Sequence, residues 1–196
     1  GRIGASVERM AGLARRLGEK GGLESRPADL LARVRPTPAL DELARADFLI
    51  EAIVEDAGEK KRLFARLDGI CPPGVVLASN TSAIEITELA SPTRRPSEVI
   101  GMHFFNPPNL FRLVEVVRGA LTSDETTEAT VALAGRLGQT PVVLRKETPG
   151  FIVNRILFAM YGEALKLYEE GVASAEDIDR AMVLGLRHPV GPFALQ

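Results

Sequence analysis

The 196-residue chain has little that would recruit nucleic acid or a membrane. Its formal net charge is −2, and its basic residues are scattered in short runs such as Arg15-Arg16, Lys60-Lys61-Arg62 and Arg94-Arg95. Such a distribution makes no basic stripe, so neither a nucleic-acid nor an anionic-membrane partner is expected. No window approaches 18 consecutive apolar residues, which argues against a membrane-spanning helix. The opening GRIGASVERM lacks the apolar central block of a signal peptide. A single cysteine, Cys71, excludes an internal disulfide and fits a reducing compartment, so a cytoplasmic location is expected. Cys71 stands between Ile70 and Pro72 at the expected end of a helix and reads as a packed or surface thiol rather than a nucleophile. Histidine is also scarce: only His103 and His188. What remains is an ordinary globular balance, 45% apolar and 26% charged. The length suffices for one substantial domain, or one domain and part of another.

Apolar periodicity divides the chain. SVERMAGLARRLGEKGG places Val7, Met10, Ala14 and Leu17 on one helical face, closed by Gly21-Gly22. A weak strand near ARVRP and a short helix come next. DFLIEAIV is then a near-continuous apolar run, the pattern of a parallel strand covered on both faces. AGEKKRLFARLDGI brings Leu63, Phe64, Leu67 and Ile70 to one side of a helix. GVVLAS, EVIGMHFF, FRLVEVVRG and PVVLRK read as strands, with AIEITELA and DETTEATVALAGRLG as helices. Strands alternating with crossover helices predict a doubly wound α/β domain. From Thr148 the pattern turns helical. Thr148-Pro149 reads as N-cap and first helical position, and a long helix follows through GFIVNRILFAMYGEALKLYEEG. A second, AEDIDRAMVLGL, is announced by Ser174 and Asp177. The expected division is therefore an α/β domain over residues 1–147 and a helical domain over 148–196. The helical part reaches HPVGPFALQ before it can complete a core of its own. It is expected to be truncated or covered by a partner, most simply in a homodimer.

The stretch GMHFFNPPNLFRLVEV places His103 at the end of one apolar run and Glu115 in the next. An antiparallel hairpin centred on Asn109 pairs these two residues and points both side chains to one face of the sheet. A carboxylate at one imidazole nitrogen fixes the tautomer and leaves the other nitrogen as a base. A buried pair that merely satisfies itself is the other possibility, and this segment alone leaves both open. ASNTSAI follows the strand VVLAS, so Ser79 to Ser82 lie at the rim where open α/β sheets bind ligands. Their hydroxyls and amides either cap the next helix or hold a substrate oxygen. TPGFIVNR puts Asn154 in the second turn of the long helix, at the hinge. There it needs a partner if buried and needs none on a solvent face. His188 in RHPVGPF follows a helix and suits that helix's C-terminal dipole.

Four segments, LASNTSAIEI, IGMHFFNPPNLFRLVEVV, ETPGFIVNRI and GLRHPVGPF, resemble successive motifs of the L-3-hydroxyacyl-CoA dehydrogenases, including the 3-hydroxybutyryl-CoA type. The likeness runs from DELARADFLIEAIVED to the last residue and more loosely back to residue 1. It implies a Rossmann-type sheet followed by a helical C-terminal domain, with NAD as cofactor and no metal. The implied reaction is oxidation of L-3-hydroxyacyl-CoA to 3-oxoacyl-CoA, in fatty acid β-oxidation or 3-hydroxybutyryl-CoA metabolism. By the same resemblance His103 is the general base, Glu115 its orienting partner, and Ser82 and Asn154 the holders of the reacting oxygen. Glu55 and Lys60 of VEDAGEK fall on the nicotinamide side of the cofactor, and Asn106 and Ser82 are cofactor contacts. Phe104-Phe105 in HFFNPP favours the acyl-CoA branch over superfamily relatives that act on a non-CoA hydroxy acid such as gulonate. A non-catalytic module keeping the fold is the third reading. The joint presence of Ser82, His103, Glu115 and Asn154 speaks against it.

One departure stands out. The family's glycine-rich phosphate turn of GxGxxG type is not found, since GRIGAS has glycines at 1 and 4 with no strand before them. The chain is expected to begin after the family's second strand. By itself it is expected to hold NAD weakly or not at all, without the helix terminus that grips the pyrophosphate.

Overall fold

The computed structural model describes residues 2–22 and 25–195, which fall into two compact units, 1–46 and 47–196. The first unit is helical. Helix α1 spans Arg2–Glu19, and the amide of Gly22 donates to the carbonyl of Leu17 as it ends. Helix α2 spans Pro27–Leu31, with Pro27 in the first turn where a missing amide is harmless. A 3-10 turn follows at Leu40–Arg45. The strand expected near ARVRP does not form, and residues 32–39 are turn and coil. Pro36 and Pro38 offer no amide to a ladder, and the described residues of this unit include no strand to pair with.

The second unit carries a five-stranded sheet in the order β1-β2-β3-β4-β5. β1 (Phe48–Glu51), β2 (Val76–Ser79) and β3 (Val99–Phe104) are mutually parallel. β4 (Leu113–Arg118) returns antiparallel to β3, and β5 (Thr140–Leu144) runs parallel to β4. The crossovers are helices: α3 (Ala57–Ile70), α4 (Ile86–Ala90) and α5 (Asp124–Arg136). Two of them start on local caps, Asp56 accepting from the Glu59 amide and Ser123 from the Thr126 amide. This is the expected α/β, Rossmann-type arrangement. Helices α6 (Val153–Glu169) and α7 (Ala175–Leu186) follow it, the latter capped by Ser174 as its sequence predicts. Among the described residues no helix is long and apolar enough to cross a membrane.

Strand alternation decides what each face of the sheet carries. Val76, Ala78, Ile100, Met102, Val114 and Val116 pack with Ala134 of α5 in one buried cluster. Their neighbours in sequence, Gly101, His103, Glu115 and Val117, therefore share the opposite face. Helix α4 lies close on that side. A Cβ at Gly101 would meet Val117 Cβ at 2.8 Å and Ile86 Cδ1 at 2.9 Å, so only a residue without a side chain admits the helix. A second fastening ties the end of α3 to the segment before β3. Buried Asp68 accepts from Arg94 and Arg95, and Arg95 also donates to the carbonyls of Asp68, Cys71 and Pro72.

The helical part starts later than its sequence suggests. Thr148-Pro149 is not the cap of α6, which begins at Val153. Gly150 and Phe151 adopt left-handed backbone conformations (φ 74° and 51°), which breaks the expected first turn. The cap comes from the sheet instead, because Oε1 of Glu115 accepts from the amides of Ile152 and Val153 at 2.9 and 3.0 Å. Asn154 accordingly sits in the first turn of α6, not the second.

Candidate active site

The hairpin register pairs His103 with Glu115, and Nδ1 of the imidazole lies 2.8 Å from Oε2 of the carboxylate. Both side chains are almost fully buried, 5% and 1% exposed. Oε1 of Glu115 accepts two amides, and with Oε2 accepting as well the hydrogen-bond pattern assigns the hydrogen to Nδ1 of His103. Nε2 is then the basic nitrogen. It makes no hydrogen bond within the described residues, yet it is not sealed. Among those residues the single sealed side-chain polar atom without a partner is Oε1 of Gln139. The ring is held from the side by Phe105, with centroids 4.8 Å apart, and edge-on by Phe151 at 5.5 Å. Phe151 is buried and bulky, yet left-handed. A residue of that kind at positive φ costs of order 1–3 kcal/mol and is retained where its surroundings demand it.

Beside this pair, at the carboxyl ends of β1, β2 and β3, lies a cavity of about 530 Å³. That is the size range of small-molecule sites. Asn80, Ser82 and Asn106 give it polar walls, and Ile50, Phe104 and Phe105 apolar ones. Asn80 fastens the rim, since its amide donates to the Glu51 carbonyl and its Oδ1 accepts from the amide of Phe104, next to His103. Ser82 is presented by Glu55. One oxygen of that carboxylate accepts from the Ser82 amide at 2.8 Å and from the Thr81 hydroxyl. The Ser82 hydroxyl makes no hydrogen bond within the described residues. Burial pushes the Glu55 carboxyl up, but the Thr81 hydroxyl, the Ser82 amide and the Lys60 charge outweigh it and hold it below the usual carboxylate range.

The candidates named from the sequence thus fall into two groups and one outlier. His103 and Glu115 are in direct contact. Glu55 meets Lys60 at 3.3 Å and the Ser82 amide, while Ser82 and Asn106 share the cavity wall. Asn154 is the outlier. It is half-buried one residue past the Val153 amide that Glu115 holds, and its side chain bonds to none of the others. Glu51 escaped the sequence reading although its signal was visible, a lone carboxylate inside the apolar run DFLIEAIV. Glu51 is the one buried residue of β1, a carboxylate so placed demands an internal partner, and the structure supplies Lys60, 1% exposed, at 2.7 Å. Phe151 left no comparable signal, because nothing in TPGFIVNR marks a left-handed phenylalanine.

The chain has relatives among known proteins. Residues 2–148 match the NAD-binding domain model of 3-hydroxyacyl-CoA dehydrogenase, and residues 150–196 match that enzyme's C-terminal domain model. The chain belongs to the 3-hydroxyacyl-CoA dehydrogenase family. A family member named 3-hydroxybutyryl-CoA dehydrogenase, from Clostridioides difficile, is 47% identical over 173 residues, which is 88% of this chain and 61% of that protein. A probable 3-hydroxybutyryl-CoA dehydrogenase of Bacillus subtilis (strain 168) is 45% identical over 192 residues, 97% of this chain and 67% of the relative. The chain therefore spans about two thirds of the length of these relatives. The crystal structure of (S)-3-hydroxybutyryl-CoA dehydrogenase from Ralstonia eutropha superposes with a TM-score of 0.94 at 44% identity, covering 98% of this chain and 68% of that one. The first family model thus covers the sheet that carries His103 and Glu115, and the second covers helices α6 and α7.

Proposed function

We propose that the protein containing this chain oxidises an L-3-hydroxyacyl-CoA to the 3-oxoacyl-CoA with NAD, and that 3-hydroxybutyryl-CoA is the substrate to try first. The observation that carries the proposal is the geometry of His103: one nitrogen fixed by a buried carboxylate, the other unpartnered and unsealed beside a cavity with both polar and apolar walls. The residues present fit a nicotinamide ring. The cavity has aromatic and aliphatic walls, a free serine hydroxyl, two asparagines, and a carboxylate behind the serine. The relatives' names supply the acyl-CoA.

In this reading Nε2 of His103 takes the proton of the C3 hydroxyl. Glu115 keeps the ring in the required tautomer and stabilises the imidazolium. Ser82 and Asn154 donate to the C3 oxygen as its charge changes, a contribution that typically reaches about 2.7–4 kcal/mol of barrier per donor. Phe105 and Phe151 limit water and ring rotation at His103. Glu55, Asn106 and Ser82 orient the cofactor, and Lys60 acts on it from beneath Glu55. A nicotinamide held by these residues would supply the acceptor for the C3 hydride.

The same proposal divides the chain into an NAD-binding part to residue 147 and a helical part from 148, places the protein in the cytoplasm, and joins two copies through the helical part. Exposed Ile156 and Phe158 on α6 and Leu184 on α7 support that last point.

The test is a substrate panel on the full-length protein, pairing acetoacetyl-CoA with NADH and gulonate with NAD. Activity on the thioester alone, lowered about 10²–10⁴-fold by His103→Gln, is expected. Turnover of gulonate instead, or an unchanged rate in the variant, would overturn the reading.

A further inference from the structure

Next to the cavity lies a charged cluster that general base chemistry does not use. Glu51 stands between Ile50 and Ala52, both cavity residues, yet its own side chain is 2% exposed. Its Oε1 accepts from Lys60 Nζ at 2.7 Å and from the Ile53 amide at 2.6 Å, and its Oε2 accepts from the Ser79 hydroxyl at 2.6 Å. Three donors converging on two oxygens is the bonding pattern of an ionised carboxylate. The Lys60 ammonium, equally buried, has a second anion in Glu55 at 3.3 Å. Glu55 in turn holds the Ser82 amide at the cavity wall. Two carboxylates and one ammonium leave a formal charge of −1.

That excess has no counterweight where it matters. The cavity's own lining carries no ionisable side chain. A clip for residues 79–83 would need only hydrogen bonds, and the pair of Glu51 and Lys60 would already be neutral. Glu55 makes the cluster anionic; its side chain is 43% exposed and partly screened by solvent, whereas the charges of buried Glu51 and Lys60 are screened far less.

We propose that Glu51, Lys60 and Glu55 act together as a charge selector, favouring a cationic planar ring in the cavity over the same ring in its neutral form. Glu51 is the positioning residue that sets the net charge, and it touches neither ligand. The inference rests on the cofactor assignment above. With a nicotinamide in the cavity, the oxidised ring is the cation and the reduced ring is neutral, so the cluster tightens NAD⁺ relative to NADH.

The experiment is a ratio of dissociation constants in the full-length protein. NADH is titrated by fluorescence and NAD⁺ by calorimetry, for wild type, Glu51→Gln, Glu51→Asp and Glu55→Gln. Glu51→Gln removes one negative charge without changing shape and is expected to raise the ratio Kd(NAD⁺)/Kd(NADH) about threefold to tenfold. A tenfold change corresponds to about 30 mV in the bound two-electron couple. Glu51→Asp keeps the charge and the wild-type ratio. Glu55→Gln, on a half-exposed side chain, raises the ratio as well and carries the test if Glu51→Gln does not fold. A cluster that served only as scaffold would weaken both coenzymes in proportion, and an unmoved ratio in the glutamine variants would overturn the proposal. Wild type that binds both coenzymes and turns over leaves the cofactor assignment standing in that event, whereas wild type that binds neither overturns both.

Discussion

Glu115 stands 2.8 Å from His103 through one oxygen and caps helix α6 through the other. A single buried carboxylate thus sets the tautomer of the imidazole and fixes the start of a segment nearly forty residues downstream.

That double duty separates two substitutions at one position. Glu115→Gln can keep the helix cap through its carbonyl oxygen, but it turns an amide N–H toward Nδ1 and drives the imidazole proton onto Nε2. Turnover in the full-length protein is expected to fall about as far as in His103→Gln, with a melting temperature close to wild type. Glu115→Ala leaves two amides without a partner, at about 1–3 kcal/mol each, and its melting temperature is expected to fall as well. Steady-state kinetics beside thermal melts check both outcomes. Equal melting temperatures for the two variants would deny the cap.

Gly101 supplies a purely steric prediction. Gly101→Ala places a methyl group within 3 Å of Val117 and Ile86, neither of which can swing clear of a packed sheet. Overpacking of this kind typically costs about 1–3 kcal/mol. Chemical denaturation is expected to report a loss in that range, while an alanine that stabilises would mean α4 is free to lift.

Asp68 ties stability to acid. Burial pushes its carboxyl up, but the hydrogen bonds from Arg94 and Arg95 outweigh this and hold it below the ordinary aspartate value. A carboxyl lowered in the folded state contributes stability that is present above its unfolded pKa and lost as pH falls through the folded one. The stability gap between wild type and Asp68→Asn is therefore expected to be full at pH 7 and 5 and to close below about pH 4. Arg95→Met is expected to destabilise more than Arg94→Met at neutral pH. Arg95 is mostly buried and serves three carbonyls, whereas the Arg94 side chain is 81% exposed. Urea midpoints across pH decide both points.

Much of the second unit was legible because its signals are local. GVVLAS and EVIGMHFF declare buried strands by composition, and the pairing of His103 with Glu115 follows from where NPPN must turn, whereas DFLIEAIV, expected to be covered on both faces, forms only the short edge strand β1 with Ile50 39% exposed. Ser123 and Ser174 cap the helices their sequences announce. The misreadings share a physical cause. Thr148-Pro149 has the local chemistry of a helix start, yet the cap is a residue on β4. ARVRP has strand-like composition but no neighbouring strand to complete its ladder. Lys60 looks like a solvated helix residue until Glu51 is seen across from it. Each depends on a partner distant in sequence, which composition and spacing along one stretch do not contain.

The grip of Glu115 on α6 has a kinetic corollary. A copy in which α6 has not yet docked, or has come loose, lacks the two amides that hold Oε1 of Glu115 and the Phe151 edge beside the imidazole. With His103 as the proposed base, such a molecule is expected to be inactive rather than indiscriminate, so competence and completion of the fold are expected to arrive in the same event.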